Sequence, residues 1–140
     1  MNKLFSILLA TVTICLLTNK TFAQCDTIAN TCYKNITAKY VSDGQQYRAL
    51  LLKKEVAEFN ATLFGGTTYR MAACSGMTDG QLVFSIFDKA HNLLFTNTEH
   101  KNAPYWDFKV KNTLDCTIEA QLLNQNAESG CAVLLIGFKQ

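Results

Sequence analysis

A hydrolytic nucleophile needs a serine or cysteine, a base, and an acid that orients the base. Ser42, Ser75, Ser85 and Ser129 are present without a GxSxG elbow, and Ser75 stands in Cys74-Ser75-Gly76, which has the composition of a turn. The two histidines, His91 and His100, fall in the polar stretches KAHNLL and TEHKNA and read as solvated loop residues. Cys116 alternates with Leu114, Ile118 and Leu122, apolar company that would keep it a thiol. Paired carboxylates are the other hydrolytic chemistry to consider. Asp107 and Glu119 alternate onto outward faces of what read as adjoining strands, where they could approach one another. Asp43, Asp79 and Asp88 lie in turn sequences, where a carboxylate bonds its own backbone. Turn oxygens of this kind make calcium the weak metal alternative, without a DxDxDG-like run to support it. No CxxC is present, and Gly65-Gly66 is an isolated pair rather than a phosphate loop. The expectation is therefore no catalytic residue, no structural metal and no cofactor.

Aromatic side chains offer a binding chemistry instead. In PYWDFKV, strict alternation sends Trp106, Phe108 and Val110 to one side and Tyr105, Asp107 and Lys109 to the other. Trp106 thus reads as core. Tyr105 and Asp107, with Glu119, are the candidate ligand-contacting residues for a glycan or a protein.

Placing such residues requires a compartment and a scaffold. Met1-Asn2-Lys3 is a short positive start, Leu4 to Leu17 is almost unbroken apolar, and Thr21 and Ala23 put small residues before a cut ahead of Gln24. This is the grammar of a secretory signal over residues 1–23, with one domain over 24–140. The apolar run falls short of the ~20 residues a membrane span needs, so the mature chain is not expected to span a membrane. Lys3 and Lys20 lie in the leader, which leaves basic and acidic residues equal in number. A chain so balanced has no basic surplus to bind nucleic acid. Cys25, Cys32, Cys74, Cys116 and Cys131 remain after cleavage, and export makes disulfides the default. One thiol is spare, with three pairings open for each choice of spare. Cys25 and Cys32 flank the polar stretch DTIANT, a turn that a local bridge would close. Cys74 ends one strand and Cys131 begins another, so antiparallel neighbours would join them, leaving Cys116 as the buried spare.

The scaffold reads as short strands divided by turns. YKNITAKYV, QYRALLL, EVAEFNATLF, TTYRMAAC, LVFSIFD, NLLFTN, PYWDFKV, TLDCTIEAQLL and CAVLLIGF are rich in β-branched and aromatic residues. Ser42-Asp43-Gly44 and Asp79-Gly80 punctuate them as turns, and Lys89-Ala90-His91 joins a hairpin. Residues 49–63 also fit a helical face, but no N-cap precedes them, which favours two strands. The closing CAVLLIGF has little polar protection and should be an internal, paired strand. The result is an all-β fold with the strand spacing of a two-layer antiparallel β-sandwich or a barrel, with eight or nine strands.

EVAEFNATLFGGTTYRM, the run FSIFD ending in aspartate, YWDFKV and the closing GCAVLLIGFK together resemble small exported β-sandwich proteins of Bacteroidetes without a settled function. More distantly, Gly66 to Arg70 and Phe84 to Asp88 are similar to strands of the prepeptidase C-terminal domains, jelly-roll-like accessory modules of secreted hydrolases. That resemblance implies a jelly-roll-like, two-layer antiparallel β-sandwich and a binding or packing role, and it carries over no catalytic residue. The sequence thus points to a periplasmic or secreted, non-catalytic binding or structural module. The alternatives are a small hydrolase using carboxylates or calcium, and an accessory or inhibitor partner of a secreted enzyme.

Overall fold

A computed structural model describes residues 21–76, 78–124 and 126–140; most of the leader expected at residues 1–23 lies outside them. The chain opens with helix α1 (Thr21–Cys32) and a 3-10 turn (Tyr33–Asn35). Strands β1 (Tyr40–Leu52), β2 (Val56–Leu63), β3 (Thr68–Cys74), β4 (Leu82–Asp88) and β5 (Leu93–Thr96) follow. A second 3-10 turn (Asn97–His100) leads to β6 (Tyr105–Lys109), β7 (Leu114–Leu122) and β8 (Ser129–Lys139). One sheet has the order β1-β8-β3-β6 and the other β2-β7-β4-β5, with every pairing antiparallel. This interleaving of eight strands in two sheets is jelly-roll connectivity, and the two antiparallel layers agree with the expected all-β sandwich.

Alternation builds the interior. In β7, Cys116, Ile118, Ala120 and Leu122 are buried while the residues between them are not. They meet Met71 from β3, Phe84 and Ile86 from β4, and Leu134 and Ile136 from β8 between the sheets. β8 departs from alternation because both its faces are covered. Ala132, Leu134 and Ile136 face the other sheet, while Cys131, Val133 and Leu135 lie beneath α1. An unbroken apolar run is what such a strand needs, and β8 is internal, between β1 and β3.

Several local expectations are corrected. The segment flanked by Cys25 and Cys32 is not a turn but most of α1, whose Cys25, Ala29 and Cys32 recur at helical spacing on one buried face. The bridges are accordingly Cys25–Cys131 and Cys32–Cys74, rather than a local Cys25–Cys32 pair and Cys74–Cys131. Cys74 and Cys131 do sit on neighbouring strands, but each reaches up to the helix. Cys116 is free and buried. Ser42-Asp43-Gly44 does not separate two strands. It forms a bulge within β1, where pairing to β8 slips between Ser42 and Gln46 and Gly44 takes φ +79°. Trp106 points toward the other sheet, opposite Met71, but β6 is an edge strand, so its side chain remains 36% exposed rather than becoming core.

Asn97, absent from the sequence reading, is completely buried. Its amide accepts from the Phe84 N–H and donates to the Leu82 and Ala103 carbonyls, anchoring the second 3-10 turn to β4. No helix among the described residues is long and apolar enough to cross a membrane.

Candidate functional site

Tyr105 and Asp107 lie on the outer face of the first sheet, and cross-strand register places Arg70 of β3 directly opposite Asp107. The guanidinium makes a two-pronged contact, Nε to Oδ1 at 2.6 Å and Nη2 to Oδ2 at 2.9 Å. Tyr40 donates its hydroxyl to the same Oδ2 at 2.8 Å. The guanidinium carbon stands 4.5 Å from the Tyr40 ring centre and 4.4 Å from that of Tyr105, and Nη1 donates to the Asn35 carbonyl. Arginine is thus stacked between two aromatic rings and forked onto one carboxylate, the geometry its planar cation favours. Hydrogen bonding to Arg70 holds the Asp107 carboxyl below the usual carboxylate range, and burial followed by the Asp107 contact raises Tyr40. A carboxylate held ionised in this way is poorly matched to general acid–base work near neutrality. The cluster ties the segment after α1 to the sheet.

Glu119 is elsewhere. It stands on the outer face of the second sheet, between Glu58 and Ser85 in register, with His91 Nε2 3.9 Å from its Oε1. β6 and β7 belong to different sheets, so the expected approach of Asp107 to Glu119 does not occur. The structure brings Tyr105 and Asp107 together and leaves Glu119 on the opposite side of the sandwich.

Two clefts lie at the long sides of the sandwich, where its edge strands do not pair across the layers. Between β1 and β2 is one of about 840 Å³. Tyr47, Tyr69, Cys116, Ile136 and Phe138 line its inner part, and Asp43 and Gln45 of the β1 bulge stand at its margin. Burial pushes the Cys116 thiol up to about 11, which leaves it protonated and unreactive at neutral pH. The second cleft, about 470 Å³, lies between β5 and β6 and is lined by Leu94, Phe95, Trp106 and Phe108, with Lys109 and Lys111 at its margin. Here His100 is no solvated loop residue. It stacks on Phe95 at 5.3 Å and on Trp106 at 4.1 Å, and Phe108 meets Phe95 edge-on at 4.8 Å. Leu93 and Leu94 are about half exposed beside this stack. Among the described residues, no three His, Cys, Asp or Glu side chains gather as metal ligands.

Sequence reasoning missed Arg70, Tyr40, Phe95 and His100. Arg70 could have been found only from the β3–β6 register, which local alternation does not contain. His100 carried a signal in its neighbour Asn97, whose burial requires the turn around it to fold back onto β4.

No protein-family model and no curated protein matches the chain. Among solved structures, it is similar to PliG of Aeromonas hydrophila, a periplasmic lysozyme inhibitor of g-type lysozyme. The TM-score is 0.52 at 10% identity, over 68% of this chain and 85% of that one. At that identity the likeness is one of fold.

Proposed function

We propose that this chain is an exported, non-catalytic protein-binding module that acts as an inhibitor or accessory partner of a secreted enzyme, with lysozymes as the first partner class to test. The carrying observation is the β5–β6 edge, where Leu94 and Trp106 present apolar and aromatic surface to solvent at a shallow cleft and Leu93 is exposed next to them in β5. Surface of this composition is characteristic of protein contact sites. The likeness to a lysozyme inhibitor supplies the partner class. Two disulfides and the signal-like opening support an oxidising compartment. A sugar-stacking platform is less favoured, because Tyr105 is turned to the outer face and engaged with Arg70 while Trp106 faces the other way.

The test is to express the protein with its own leader, purify the processed form, and titrate it into g-, c- and i-type lysozymes while following lysis of bacterial cells. Stoichiometric loss of lysis with at least one class, matched by a complex in calorimetry, is expected. Unchanged lysis and no complex with all three would overturn the lysozyme assignment. Hydrolysis of peptides, esters or glycans by the protein itself would overturn the non-catalytic reading.

A further inference from the structure

The cleft on the other side of the molecule has no part in that reading. β1 and β2 are the edge strands of their respective sheets and lie on the same side, so no strand pairing closes the seam between them. In β1 and β8, Tyr47 pairs with Leu134 and so points between the layers, as does Tyr69, which pairs with Phe138. These three aromatic residues and Ile136 wall about 840 Å³, within the range of small-molecule sites.

The polar groups give this apolar volume a sign. Asp43 stands at the margin, on the bulge that interrupts β1. Its carboxylate accepts the Gln45 N–H at 2.9 Å and makes no ion pair among the described residues. The other carboxylate at the cleft, Asp115, is already neutralised by Lys89 at 2.7 Å and accepts from the Thr62 hydroxyl. Tyr47 donates its hydroxyl to Gln45 Oε1, so its proton is already engaged and the electron-rich ring is what the residue offers the cleft. The Asp43 carboxyl is held above its ordinary value by partial loss of hydration, and its charge in turn helps raise Tyr47. An unpaired carboxylate beside tyrosine and phenylalanine rings attracts a cation whose remainder is apolar, because a ring quadrupole met at its face and the carboxylate act in the same direction.

We propose that the β1–β2 cleft is a binding site for a small organic ammonium, its apolar body among Tyr47, Tyr69 and Phe138 and its positive head at Asp43. The site is independent of any protein partner docked on the β5–β6 edge.

The probe is benzyltrimethylammonium, with benzylsulfonate as the size-matched anion, titrated into the processed protein without any lysozyme and followed by amide NMR. Saturable shifts at Tyr47, Cys116 and Phe138 with the cation, and none with the sulfonate, are expected. Asp43→Asn keeps an acceptor for Gln45 and should weaken the cation by about tenfold with the remaining spectrum unchanged. Equal binding of both probes, equal affinity in Asp43→Asn, or no shift at these residues up to millimolar probe would overturn the proposal. None of these outcomes bears on inhibition of an enzyme, which is read separately.

Discussion

Asp107 was singled out from sequence as an outward carboxylate, and its position is right while its task differs. What alternation cannot show is the partner, since Arg70 lies 37 residues away and meets it only through strand pairing. The contact makes a pH-dependent stability prediction. The folded carboxyl is held below its ordinary value. Its contribution is therefore complete above the unfolded value of about 3.9 and fades as pH falls through the lower folded value. Asp107→Asn should lose about 1–2 kcal/mol at pH 7, a charge-assisted pair discounted for its partial exposure, measured by urea unfolding. The gap to the parent should narrow on titration to pH 2; a constant gap would mean that packing, not charge, holds the cluster. Cys116 shifts in the other direction. Its thiol, raised to about 11 by burial, stabilises the fold fully below the ordinary thiol range and loses that contribution as pH rises through 11. Cys116→Ala should flatten the decline in stability between pH 9 and 11, and the parent thiol should react with a thiol reagent only after unfolding.

Strands such as β7 were readable because they bury one face, which forces period-two order on the sequence, and β8 because covering both its faces calls for an unbroken apolar run. α1 was not, for a physical reason. TFAQCDTIANTC has no acidic residue in its first turn and no basic residue in its last, and only a narrow apolar stripe. A helix of 12 residues, fewer once the leader expected through residue 23 is removed, is marginal alone with such a sequence, so tertiary attachment makes it. Cys25 and Cys32 supply that attachment two helical turns apart, one bonded to β8 and the other to the end of β3. Peptide mapping without reduction should therefore recover Cys25 with Cys131 and Cys32 with Cys74. Loop-closure entropy over a separation of 106 residues makes the first bridge worth about 5 kcal/mol. The paired change Cys25→Ala and Cys131→Ala should lower the thermal midpoint sharply and expose the α1 amides to hydrogen exchange. If both signals stay at parental values, the Cys32–Cys74 bridge and the packing of Ala29 and Ile28 suffice to hold the helix. The bulge in β1 was hidden in the same way. Ser42-Asp43-Gly44 has the residues of a turn, and only the continuity of β8 behind it decides that the strand resumes.

For the molecule as a unit, two-sheet jelly-roll connectivity leaves surfaces that differ in what they can do. The outer face of the first sheet carries α1 and the Arg70 cluster, so much of it is already covered. The β1–β2 side holds a cleft of small-molecule size. The β5–β6 side combines exposed leucines with an aromatic stack, and here a protein partner has most to gain from excluding water. A charge placed on that edge separates binding from folding. Leu94 is 49% exposed, so Leu94→Asp should change stability little, within about 0.5 kcal/mol. Inside a desolvated contact the same carboxylate would lack a partner and weaken the complex by about tenfold or more. Leu52→Asp is the matched control, because Leu52 is 53% exposed at the end of β1, on the far side of the sandwich. On the proposed inhibitory reading, both variants should keep close to the parental thermal midpoint, and Leu94→Asp but not Leu52→Asp should lose inhibition on titration. Loss of inhibition with Leu52→Asp and none with Leu94→Asp would move the interface to the β1–β2 side, and would then bring the ammonium site and the partner into competition for one face.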